Sequence, residues 1–109
     1  MIVDNWLDKD LHSFLASEFL YKTPHYYGHK SSKTSNNVFY NTDLNQIDPL
    51  IRFLIHKLQQ TLNNKLIIHR TYLNIQHPHM HGDFHQDDGN FTCLYMVTGE
   101  GNFEIKNEK

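Results

Sequence analysis

The chain of 109 residues is short of several residue types. There is one cysteine, Cys93, so no internal disulfide can form, and a reducing, cytoplasmic setting is the expectation. Cys93 lies in the apolar run Phe91-Thr92-Cys93-Leu94-Tyr95-Met96-Val97 and reads as a buried structural thiol. No apolar stretch approaches the roughly 20 residues that a membrane helix needs, and the N-terminus lacks a basic, signal-like start. A surplus of either charge is also missing. The formal net charge is −2, which gives no support to a nucleic-acid clamp built on a broad basic face. Hydrophobic residues make up 39% of the chain, enough for one globular domain spanning residues 1–109.

Histidine, in contrast, is plentiful. The chain has nine, four of them between His77 and His85. Organisation along the chain is read from periodicity. Ile2–Leu7 reads as a short strand or extended lead-in. Leu7, Leu11, Phe14, Leu15 and Phe19 follow helical spacing and predict a helix over about 9–21, ended by Pro24. Residues 24–37 read as an irregular connection, followed by a short strand at Val38-Phe39-Tyr40. Asp48 is a good N-cap and Pro49 fits the first helical position. Leu50, Ile51, Leu54, Ile55, Leu58 and Leu62 then form the stripe of a second helix, ending at Asn63-Asn64.

Beyond Lys65 the period becomes two. Ile67, His69, Thr71, Leu73 and Ile75 share one strand face, and Leu66, Ile68, Arg70, Tyr72, Asn74 and Gln76 the other, which turns polar towards its end. A turn is expected from His77-Pro78 to Gly82, a short strand at Phe84–Asp87 and a tight turn at Asp88-Gly89. A strand at Phe91–Thr98, a turn at Gly99-Glu100-Gly101 and a further strand from Asn102 to Ile105 complete the reading.

Residues 77–88 hold four imidazoles and three carboxylates, a donor set suited to borderline metals such as Fe(II), Zn, Ni or Mn. Two His-x-Asp pairs compete, His81/Asp83 and His85/Asp87. On a strand, either would aim one nitrogen and one oxygen the same way. His85/Asp87 is preferred, because His81 adjoins Gly82 in a turn whereas His85 and Asp87 sit before the Asp88-Gly89 hairpin. His77, His79 and His81 read as loop residues at the mouth of the site. A His-rich loop can also simply be solvated.

The ordered set Arg70-Thr-Tyr-Leu-Asn-Ile-Gln76, Gly82-Asp-Phe-His-Gln-Asp87, Phe91-Thr-Cys-Leu-Tyr95 and Gly99-Glu-Gly-Asn-Phe103 resembles Fe(II)/2-oxoglutarate-dependent oxygenases, in particular their prolyl 4-hydroxylase-like branch. The opening Ile2-Val-Asp-Asn-Trp-Leu7 and the helix after it extend the resemblance over nearly the whole chain. It implies an α+β fold, a double-stranded β-helix (jelly-roll or cupin-like) with two N-terminal support helices. It also implies His85 and Asp87 as two ligands of a 2-His-1-carboxylate iron site, Asn74 and Gln76 as 2-oxoglutarate contacts, and Leu94 and Met96, with Thr92, on an inward strand face.

Two features depart from the family pattern. Met96 stands where many relatives have an aromatic hydroxyl. No histidine or arginine follows Asp87, so the family's distal His and its basic 2-oxoglutarate anchor are missing from these residues. The expectation is therefore the N-terminal part of such a domain, self-associating through uncovered strand edges, with little activity of its own. One of His77, His79 or His81 would then be available as a third ligand. Tyr26, Tyr27 and His29 either line a substrate entrance or pack against the rim, and packing is the expectation. Three other readings compete: a non-enzymatic cupin-like metal binder, a nucleic-acid demethylase of the same superfamily, and a globular fragment without a function of its own. The substrate, a small molecule or a protein side chain, is not readable.

Overall fold

The computed structural model describes residues 1–31, 33–80, 82–83 and 89–98. These form an α+β arrangement of two α-helices and a three-stranded antiparallel sheet. Two compact units are formed. One comprises Met1–Pro24 with the described residues of Phe84–Lys109, and the other His25–Asp83.

In the first unit, the Asp8 carboxylate accepts from the Leu11 amide at 2.8 Å and starts α1, Lys9–Ser17. The chain then widens into a π-helical turn, Glu18–Lys22, which carries the helical path to the predicted end. Thr23 closes it by donating its hydroxyl to the Glu18 carbonyl at 3.0 Å. Leu7, Leu15 and Phe19 are buried, Leu15 completely. Phe14, which the helical spacing had included in the stripe, is half exposed. The lead-in Ile2–Leu7 forms no strand. It turns at Asp4-Asn5 instead, with Asn5 at φ 54°.

The second unit contains the sheet, ordered β1-β2-β3. Strand β1, Tyr26–His29, occupies part of the stretch that the composition assigns to an irregular connection. The strand forms because β2 runs alongside it, and the local residues permit the pairing. Two adjacent tyrosines favour a pleated surface, and Gly28, which reads as loop punctuation, sits at φ 116° where the β1–β2 register shifts between Tyr27 and His29. Strand β2, Phe39–Asp43, pairs antiparallel with β1 on one side and with β3, Tyr72–Ile75, on the other.

Between β2 and β3 runs α2, Pro49–Leu62, as predicted. Asp48 caps it through the Leu50 amide at 3.0 Å. At its other end Asn63 adopts the left-handed conformation, φ 51°, while the Asn63 and Asn64 amides bond back to the carbonyls of Gln60 and Gln59. Ile51 is buried, and Leu54, Ile55, Leu58 and Leu62 are half-buried along the same stripe. Burying one such side chain fully is worth about 1.5–3 kcal/mol.

The long strand expected at 66–76 is shorter, and its first half faces the other way. Ile67 is 92% exposed, whereas Leu66 and Ile68 are half-buried. The Leu66 amide donates to Gln59 Oε1 at 2.8 Å, so the end of α2 sets the path of the chain here. No strand is assigned over 91–98, and Cys93 is exposed. Both expectations are corrected for one reason. An apolar run becomes a buried strand only when a neighbour pairs with it, and the unit holding 91–97 contains no strand among its described residues.

Candidate functional site

Among the predicted site residues, Asn74 is placed best by the fold. β3 pairs with β2 so that Asn74 stands directly opposite Asn41. Asn41 is in turn opposite Tyr26 on β1, so Tyr26, Asn41 and Asn74 share one face of the sheet. Asn41 is buried and donates its side-chain Nδ2 to Asn74 Oδ1 at 2.6 Å. Asn74 itself is exposed, flanked in the strand by half-buried Leu73 and Ile75. Gln76, two residues further on, is also exposed.

Arg70 borders this face. Its Nε and Nη2 donate to Asp43 Oδ1 at 3.0 and 2.9 Å, and Nη2 also reaches Asn41 Oδ1 at 3.4 Å. The guanidinium lies over the Tyr72 ring, 4.5 Å from its centre. Both partners of the ion pair are well exposed, so it orients the arginine more than it stabilises the fold. The Arg70–Asn41 link was not visible in the sequence. A helix and its loops separate the two positions, and only the β2–β3 register brings them together.

Tyr26 and Tyr27 border an open cavity of about 420 Å³ with His29, Asn41, Thr42 and Asp43. Tyr26 and Tyr27 are 65% and 63% exposed, which corrects the expectation of rim packing for these two tyrosines. Tyr27 makes an edge contact with Tyr40, and half-buried His29 a similar one with Phe39. β1 is one of the two outer strands of the sheet, so no described strand covers its far side.

After β3 the chain turns at Pro78-His79, closed by the Met80 amide bonding to the His77 carbonyl at 2.9 Å. The His77 ring packs edge-on against Tyr40. Gly82 comes close to Ser31: an added Cβ would lie 3.0 Å from its hydroxyl oxygen. Asp83, the carboxylate of the competing His81/Asp83 pair, accepts a hydrogen bond from the Asn37 side-chain amide. His81, His85 and Asp87 lie outside the described residues, as do the strands expected at Phe84–Asp87 and Asn102–Ile105 and the turn at Gly99-Glu100-Gly101. The Asp88-Gly89 turn is described only at Gly89, which has φ 99°. Among the described residues, no group of three His, Cys, Asp or Glu side chains is disposed to hold a metal ion.

Leu94 and Met96 belong to the other unit, each 56% exposed. Tyr95 between them is half-buried, its hydroxyl hydrogen-bonded to His12 Nδ1 and its ring edge-on to Trp6 and His12. The hydroxyl in this stretch is thus committed to α1. Burial pushes the Tyr95 phenol above its usual value. The stability tied to the neutral phenol is fully present below the ordinary tyrosine range and is lost as pH rises through the raised value.

Among the described residues, no helix is long and apolar enough to cross a membrane. Comparison with protein-family models, with curated proteins and with solved structures found no match.

Proposed function

We propose that the chain belongs to the lineage of Fe(II)/2-oxoglutarate-dependent oxygenases, in the prolyl 4-hydroxylase-like branch, and works in the cytoplasm. The observation that carries this reading is His85-Gln86-Asp87, following a strand that presents Asn74 on an exposed, polar position. The donor set suits the metal: one imidazole and one carboxylate two residues apart, with no thiolate in that segment. The engagement of Asp83 by Asn37 favours His85/Asp87 as the ligating pair. In this reading β1–β3 are strands of a double-stranded β-helix, and α1 and α2 are its two N-terminal support helices.

His85 and Asp87 would hold Fe(II), and Asn74 and Gln76 would contact 2-oxoglutarate. The metal and cosubstrate together supply O2 activation for hydroxylating a C–H bond. The chain's own contribution is ligand direction, hydrogen bonds to the cosubstrate and a shaped pocket.

No histidine or arginine follows Asp87 in these 109 residues, so a distal ligand and a guanidinium anchor from that side are lacking. The chain alone is therefore expected to bind Fe(II) weakly and to hydroxylate little. Anaerobic titration of Fe(II), with and without 2-oxoglutarate, into the chain and into His85→Ala tests this. Binding that weakens at least about tenfold in His85→Ala and tightens with 2-oxoglutarate supports the lineage. His85-dependent binding indifferent to 2-oxoglutarate would instead identify a non-enzymatic, cupin-like metal binder. Tight stoichiometric binding with turnover would overturn the expectation of low activity.

A further inference from the structure

We infer that Arg70 and Asn41 are positioning residues that lock the Asn74 side-chain amide with its NH2 outward, as a donor for a carboxylate-bearing ligand. The inference rests on the reading of Asn74 as a cosubstrate contact, and it adds what makes that contact selective.

The argument starts at the guanidinium, which has donors and no acceptor. Arg70 is held by Asp43 Oδ1 and by the Tyr72 ring, and its Nη2 points to Asn41. The Asn41 side-chain atom facing it must therefore be the acceptor, Oδ1. This settles the Asn41 amide, whose two ends are otherwise nearly interchangeable. Its Nδ2 then faces β3 and donates to Asn74 Oδ1 at 2.6 Å. Asn41 is buried in the sheet, where turning its amide over would set donor against donor at Arg70.

With Oδ1 used, exposed Asn74 has its two N–H groups left, and no described residue accepts from them. An acceptor-only oxygen completes this end of the chain, and a carboxylate supplies one with a full charge. The positive charge of Arg70 polarises both amides in the same direction, which strengthens the outer N–H as a donor. An asparagine without this support would present either edge, and part of its affinity would be lost in ordering it.

The test uses metal-free chain and succinate, a dicarboxylate, with the Asn74 side-chain amide followed by 15N NMR. Saturable movement of that amide signal is expected in the wild type, the signal being assigned by its loss in Asn74→Ala. Asn41→Leu alters no charge and little volume, yet frees the Asn74 amide; it should bind succinate about tenfold more weakly, as should Arg70→Met. Asn41→Asp reverses the polarity, because a carboxylate accepts from both Arg70 and Asn74, and it should abolish the response. Asn41→Asp keeps a partner for Arg70, so it carries the test if Asn41→Leu does not fold. Wild-type affinity in a folded Asn41 variant, or a wild-type Asn74 signal unmoved by succinate, overturns the inference. Neither result touches His85-dependent Fe(II) binding, so this proposal and the oxygenase reading can fail separately.

Discussion

His79 holds φ at 75°, a conformation that costs a residue with a Cβ about 1–2 kcal/mol. It follows Pro78 in a turn closed from His77 to Met80, where a positive φ at the third position normally selects glycine or asparagine. His79→Gly removes the strain but gives the unfolded chain more freedom. A net gain of up to about 1 kcal/mol is expected, read as a higher urea midpoint at unchanged slope. A loss of stability would mean that the imidazole contributes more than it strains. The composition marks this segment as rich in histidine. Which histidine occupies a glycine-like position depends on where β3 ends, and the sequence left that open.

At the scale of the element, α2 was the most legible part of the chain, because its signals are local. Asp48, Pro49, the apolar stripe and Asn63 each act within one or two turns of themselves, and all are found in the predicted roles. Asp48→Ala should cost about 1 kcal/mol, by leaving the Leu50 amide without its partner, and thermal unfolding should show a lower midpoint. An unchanged midpoint would mean that water caps the helix equally well. The strands were less legible. Alternation over 66–76 suggested one long strand, but pairing with β2 extends from Tyr72 to Ile75, and the Thr71 carbonyl adds one bond to the Leu44 amide. Alternation reports which faces a strand would have. It does not report how far a partner runs alongside.

For the whole molecule, the exposed apolar side chains are informative. Ile67, Phe91, Leu94 and Met96 are all more than half exposed, and β1 and β3 each have an outer edge with no described strand beside it. Self-association through such surfaces is expected, and sedimentation velocity over rising concentration should show the weight-average mass increasing. A clean monomer across that range would remove the basis for a third iron ligand donated by a second copy.

The sequence alone determined the α+β class, both helices with the capping of α2, and a donor set of imidazoles and carboxylates between His77 and Asp88. These are consequences of periodicity, caps and residue chemistry, which act over a few neighbouring positions. Tertiary structure decided that Tyr26–His29 is a strand and that Cys93 is exposed. It also decided that Asn41 stands between Arg70 and Asn74. Each of these depends on which distant segment lies alongside, and strand pairing and burial are set by that neighbour, not by the residues themselves.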